Sequence, residues 1–275
     1  MAIAEKWLAS RYNQPGFDVF DYRVYAVCGD GCLMEGVASE AASLAGHLGL
    51  DNLCWLYDNN HITIEGNTRL AFTEDVATRF LGYGWNVLRV GDANDVERIE
   101  HALAVFRQTT GRPTFIVVDS HIGYGSPHKQ DTAAAHGEPL GEEEVRLCKR
   151  SYGWPEDAKF LVPDGVREHF AAGVGARGAE ARTRWTELFG AYRAKHPALA
   201  TEIDLMQRRE LPAGWDRNLP GLPAGPEGSR RTGRLGSGAE RAGAEHSVVP
   251  GRVGGPRTVE QDHPEVRGGG RLSGR

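Results

Sequence analysis

The stretch "RVYAVCGDGCLMEG", Arg23 to Gly36, joins an apolar, β-branched run to the start of a helical pattern. Arg23 to Gly29 is short and apolar on both faces, which suits a parallel strand covered on two sides. The pattern from Met34 to Leu50 reads as a helix, and "DNLCWLYDNN", Asp51 to Asn60, repeats the strand character. Within that helix Ala38, Ala41, Ala42, Ala45 and Gly46 are small enough to let another backbone approach closely.

Further on, "WNVLRV" (Trp85 to Val90) and "TFIVVDS" (Thr114 to Ser120) read as strands. Between them Asp95 to Gln108 sets Val96, Ile99, Leu103 and Phe106 on one helical stripe. Alternating strands and helices predict an α/β fold built on a doubly wound parallel sheet.

At the start of the chain, residues 1 to 12 place Ile3, Trp7 and Leu8 on one helical face, and "NQPG", Asn13 to Gly16, ends that helix. Residues 166 to 196 form another helical region, with Trp185, Leu188, Phe189 and Tyr192 at helical spacing, stopping near Pro197. Past "LPAGWDRNLPGLP", Leu211 to Pro223, the composition changes. From Pro226 onward there is no aromatic residue and no lysine, and glycine and arginine dominate. So little apolar surface cannot offset the ordering entropy, and disorder is expected there. The expected organisation is a domain over 1–205, a linker over 206–225 and a Gly/Arg-rich tail over 226–275.

Composition narrows the function classes. The net charge of −5 comes without any Lys/Arg block, which argues against a nucleic-acid partner. No stretch approaches the roughly 18 apolar residues of a membrane span, and "MAIAEKWLASRYN" is too polar for a signal peptide. Cys28, Cys32, Cys54 and Cys148 show no CxxC pairing, so a reducing cytoplasm is the expected compartment.

Gly29-Asp30-Gly31 falls at the carboxyl end of the first strand, where ligands bind in open α/β sheets. Glycines there permit a tight turn and let a phosphate approach backbone N–H groups at a helix start. Asp30 alone would repel a phosphate. A divalent cation resolves the conflict, because a hard metal bridges a carboxylate oxygen to phosphate oxygens. The next strand ends at "YDNNHI", thirty residues on, where Asn60 offers a side-chain oxygen and Ile62 its carbonyl. Taken singly, GDG and DNN are also ordinary turn sequences; apolar strands leading into both favour the metal-diphosphate reading. The spacing G-D-G-x4-G does not match a dinucleotide fingerprint.

"GDGCLMEG" followed by "YDNNHITIEG" resembles the thiamine diphosphate motif of transketolases. "EAASLAGHLGL", "FTEDVATRFLGYGWNV", "IGYGSPHK" and "AHGEPLG" resemble further segments of that family in the same order, from Met1 to about Pro223. The resemblance implies the thiamine diphosphate-binding fold, with thiamine diphosphate and Mg2+ (or Ca2+) as cofactors. It makes Asp30 and Asn60 side-chain metal ligands, with Ile62 giving its backbone oxygen. Gly29 and Gly31 would lie against the diphosphate, and Ile122 would be an apolar cofactor contact. Glu35 resembles a glutamate at the subunit contact, though in a helix's first turn it also complements the dipole. His136 resembles a catalytic histidine at the cofactor's reactive end, where an isolated loop histidine would simply be solvated. His121 stands where the family more often has a non-ionisable residue. The remaining histidines, His47, His61 and His128 among them, show no metal-cluster spacing.

The implied activity is transfer of a two-carbon ketol unit from a ketose phosphate to an aldose phosphate. Judged against the family, the domain looks incomplete at the N-terminus and lacks the pyrimidine-binding domain. The expected partners are therefore sugar phosphates and either a second copy in a homodimer or a chain supplying that domain. An incomplete domain also predicts uncovered apolar surface and no turnover by this chain alone. The abrupt change of composition fits a shifted reading frame after Leu222. Competing readings are a non-catalytic half-site subunit of a split transketolase, or a related enzyme such as dihydroxyacetone synthase or phosphoketolase.

Overall fold

Four of the apolar runs become the strands of one parallel sheet in the computed structural model, which describes residues 1–218. The chain starts with α1 (Ala2–Tyr12), β1 (Val24–Gly29), α2 (Asp30–Met34), α3 (Gly36–His47) and β2 (Leu53–Asn59). A small antiparallel hairpin, β3 (Ile62–Thr63) with β4 (Gly66–Asn67), follows at once. Then come α4 (Val76–Gly82), β5 (Asn86–Val90), α5 (Val96–Gln108), β6 (Thr114–Asp119) and α6 (Glu142–Ser151). The last helices are α7 (Val166–Phe170), a π turn over Ala171–Gly175, α8 (Ala176–Lys195) and α9 (Pro197–Arg208). The expected tail and the linker beyond residue 218 lie outside the described residues.

The chain divides into two units at Ala200 and Thr201, and the sheet belongs to the first. Its order is β1-β2-β6-β5, with every neighbouring pair parallel. The register puts Gly29 beside Asp58, Asp58 beside Val118, and Val90 beside Val118, so the carboxyl ends of all four strands finish level.

Helices cover both faces, as alternating elements require. On one face Ala42 and Ala45 of α3 and Val76 and Phe80 of α4 bury Leu53, Tyr57, Phe115 and Val117. Phe80 stacks on Phe115 with centroids 3.7 Å apart, and Trp85 meets Phe80 edge-on at 5.1 Å. Such aromatic pairs add about 0.5–1.5 kcal/mol each beyond the area they bury. The indole N–H of Trp85 donates to the Ala42 carbonyl, so it carries no buried polar deficit. The opposite face packs Ala102 and Phe106 of α5 against Cys54, Val90, Ile116 and Val118.

Four sequence expectations need correction. The strand at Val24–Gly29 is not covered on two sides: it is an edge strand, and α5 reaches Tyr25 through Phe106 but leaves Val27 79% exposed. The helix expected from Met34 begins at Gly36 instead, because Glu35 takes an extended ψ of 132° and separates α3 from the short α2 before it. The buried face of α1 carries Ala2, Glu5 and Tyr12, while Ile3 is exposed. Glu5 turns inward because Asn52 donates to it at 2.6 Å. On α5, similarly, the exposed Val96 drops out of the expected stripe.

Elsewhere the turn chemistry is visible. Asn13 closes the "NQPG" turn by donating to the Phe20 carbonyl and accepting from the Phe20 N–H. On α8, Phe189 and Tyr192 are buried, and the Tyr192 hydroxyl donates to the Tyr12 carbonyl at 2.7 Å.

Candidate functional site

Asp30 opens α2 directly after β1 and is buried, with 3% of its surface exposed. Its carboxylate accepts two hydrogen bonds. The Tyr57 hydroxyl donates to Oδ1 at 2.6 Å, and the His61 backbone N–H donates to Oδ2 at 3.1 Å. Both donors come from the end of β2 and the residues after it, so adjacent parallel strands converge on one carboxylate.

Asn60 lies at the carboxyl end of β2, on the same edge of the sheet as Asp30. Its Nδ2 donates to Asp58 Oδ2 at 3.0 Å, and its Oδ1 accepts from the Ile62 N–H at 3.0 Å. Asp58 is itself held by the Ser120 hydroxyl. The Asn60 oxygen keeps a second lone pair for another partner. His61, between Asn60 and Ile62, has a φ of 61°, a conformation that few residues other than glycine adopt. Ile62 is buried at the start of the hairpin.

A cavity of about 370 Å³ opens against Asp30, lined also by Tyr57, Asn59, His61, Thr68, Arg69, Phe72, Arg89 and Val117. A second, of about 460 Å³, shares Asn59, His61 and Arg89 and continues to Asp92, Asn94, Ser120, His121 and Tyr124. Between them Arg89 grips Asp119 through Nε and Nη2 at 3.0 and 2.9 Å, and Asn59 donates to the same carboxylate at 2.7 Å.

The electrostatics keep the neighbouring donors protonated. Burial, and then the Asp30 carboxylate, hold the Tyr57 hydroxyl far above the ordinary phenol range. Burial and the nearby Cys32, Asp58 and Asp30 push the Cys28 thiol up to about 12. Neither residue is an anion near neutral pH.

The ligands expected from the sequence, the Asp30 carboxylate, the Asn60 carboxamide and the Ile62 carbonyl, are all oxygens, the donor type a hard cation takes. Gly29 and Gly31 face open space, since a Cβ on either would meet nothing within 4 Å. Among the described residues no group of three or more His, Cys, Asp or Glu could hold a metal ion, so any cation here depends on that mixed oxygen set and on the oxygens of its ligand.

The other expected residues are more dispersed. Glu35 caps α3 through its backbone, with no side-chain cap bond, and is exposed; it is not in a helix's first turn. Ile122 is half-buried, and its carbonyl accepts from Asp131 N–H at 3.0 Å. His136 follows a short 3-10 turn, Ala133–Ala135, and is exposed. A Cβ on Gly137 would lie 4.0 Å from Ile64 Cδ1, so the "AHG" turn comes close to the hairpin that follows Asn60. His121 has its own partner, with Nδ1 3.0 Å from both Asp131 oxygens.

Sequence reading did not single out Tyr57, Asp58, Ser120, Arg89 or Asp119. For Tyr57 the one available signal was a polar-tipped aromatic near the end of an apolar strand, immediately before the DNN motif.

Comparison with known proteins adds an independent line. The family model described as "Transketolase, thiamine diphosphate binding domain" matches residues 1–212. A transketolase of Geobacillus stearothermophilus is 44% identical over 271 residues, covering 98% of this chain and 40% of that protein. One of Bacillus subtilis is 44% identical over 220 residues, covering 80% and 33%. Among solved structures, transketolase from Leishmania mexicana aligns with a TM-score of 0.76 at 42% identity, covering 81% of this chain and 33% of that one. A Pichia stipitis transketolase in complex with sedoheptulose 7-phosphate gives 0.76 at 40% identity, covering 80% and 32%. The chain thus spans 40% or less of the length of these relatives. The G. stearothermophilus match also runs past Pro223, where the sequence reading ended the resemblance.

Proposed function

The chain belongs to the family of the transketolase thiamine diphosphate binding domain, and from that premise we propose that it supplies the cation and diphosphate half of a transketolase site. The reaction is transfer of a two-carbon ketol unit from a ketose phosphate to an aldose phosphate. Thiamine diphosphate, when bound, supplies the carbon nucleophile for that transfer.

The protein's own residues bind and orient. Asp30, Asn60 and the Ile62 carbonyl hold Mg2+ or Ca2+, and Gly29 and Gly31 leave space for the diphosphate. Ile122 gives an apolar contact. Glu35, which is exposed, faces a second copy of the chain or a chain carrying a pyrimidine-binding domain. His136 hydrogen-bonds a hydroxyl oxygen of the sugar phosphate and moves its proton. The approach of Gly137 to Ile64 supports this last role, since it brings the histidine's turn toward the Asn60 hairpin.

One observation carries the reading: a buried carboxylate, Asp30, ends its strand level with the strand that delivers Asn60. Calorimetric titration with magnesium and thiamine diphosphate tests it. Wild type should bind, and Asp30→Ala should lose nearly all affinity, because it removes an oxygen that would hold the cation. Equal binding by the two proteins overturns the proposal.

A further inference from the structure

We infer that Tyr57 is a positioning residue for the cation site, its hydroxyl fixing the plane in which the Asp30 carboxylate presents its free lone pairs. The inference rests on the reading that Asp30 is a cation ligand.

Tyr57 is 3% exposed, and its ring stacks on Phe115 at 5.8 Å with an interplanar angle of 21°. Phe115 stacks in turn on Phe80. The phenol is therefore held by a packed aromatic column, and its oxygen cannot wander. A buried tyrosine hydroxyl needs some partner, and a peptide carbonyl would serve. Here the partner is instead the carboxylate at the mouth of the cavity, at 2.6 Å.

The other carboxylate oxygen is held by the His61 amide, delivered by a left-handed residue with φ 61°. One lone pair on each oxygen is thus committed in a fixed direction. The remaining pairs are aimed, which is the usual contribution of groups that hydrogen-bond a ligating carboxylate. Tyr57→Phe keeps the ring and the stack, and removes only the aim on Oδ1.

Mg2+ demands near-ideal octahedral geometry, whereas Ca2+ accepts variable geometry. A positioning role therefore predicts unequal losses. In the full chain, each cation is titrated at fixed thiamine diphosphate into wild type and Tyr57→Phe. Mg2+ affinity should fall about 10–100-fold, Ca2+ affinity clearly less, so that the Mg2+ to Ca2+ ratio drops. A variant that is partly unfolded lowers both affinities by the same factor, and an unchanged ratio overturns the inference whether or not the variant folds fully. Unchanged affinities for both cations overturn it as well. If wild type binds neither cation with thiamine diphosphate, the functional proposal fails and this inference with it; if wild type binds and the ratio holds, only the inference fails.

Discussion

A Cβ placed on Gly46 would lie 1.9 Å from the carbonyl oxygen of Tyr83. The small-residue face of α3 therefore lets a helix and the turn before β5 touch backbone to backbone. In an ordinary helix interior, Gly→Ala gains up to about 1 kcal/mol. Here the overlap is with backbone, which cannot rotate away as a side chain can. Gly46→Ala should destabilise the fold by about 3 kcal/mol or more, read as a lower denaturant midpoint with unchanged m.

Glu5 gives a pH dependence of unusual sign. It is 5% exposed, and burial raises its pKa, opposed by Lys6 and by the hydrogen bond from Asn52. The folded form thus holds its proton more tightly than the unfolded form. Its contribution is most favourable below the ordinary glutamate value of 4.5 and is lost as pH rises through the folded pKa. Glu5→Gln should stabilise the protein at pH 7 and flatten this part of the stability profile. Equilibrium urea unfolding across pH 4 to 7 checks it; a destabilised variant at pH 7 would mean that the bond with Asn52 outweighs the buried charge.

Much of this architecture is legible in the sequence because it depends on local period. Strands at Leu53–Asn59 and Thr114–Asp119 and the amphipathic α5 follow from apolar spacing alone. What periodicity cannot report is which faces find a partner. Val27 and Leu56 are equally apolar, yet Leu56 packs against the α5 cluster while Val27 stands 79% exposed on the edge strand. The same limit applies to the site. Asp30 and Asn60 are visible as turn residues after strands. Tyr57 and Asp58 acquire meaning only through the register that sets Cys28 beside Tyr57 and Gly29 beside Asp58. The break at Glu35 has no strong breaker on its N-terminal side.

Glu144 ties down the segment that carries Ile122 and His136. It accepts from the Ser126 hydroxyl, from the His128 N–H at 2.8 Å and from the His128 ring at 2.9 Å. The Ser126 bond, then those from His128, hold its carboxyl down at about 2. A depressed folded pKa stabilises above the unfolded value and is lost as pH falls toward the folded one. The segment should therefore loosen between about pH 4.5 and 2. Protection of the His128 and Lys129 amides from hydrogen exchange, relative to their intrinsic rates, should fall across that window, and Glu144→Gln should show the lowered protection already at pH 7.

His61 combines backbone strain with a contact that matters for the site. Its φ of 61° is costly for a residue with a Cβ, by about 1–2 kcal/mol. Its side chain is exposed, so little packing offsets the strain. His61→Gly removes the strain but adds the entropy of glycine to the unfolded state, about 0.5–1 kcal/mol, and should leave a net gain of roughly 0.5 kcal/mol. His61→Val places a β-branched residue where left-handed backbone is least tolerated and should cost about 2 kcal/mol. The two variants should also separate at the site. The glycine variant keeps the amide that donates to Asp30, whereas the valine variant relieves its strain by turning that N–H away. Magnesium-dependent thiamine diphosphate binding should then survive in the former and weaken in the latter. Equal binding by both would show that the left-handed turn contributes nothing to aiming Asp30.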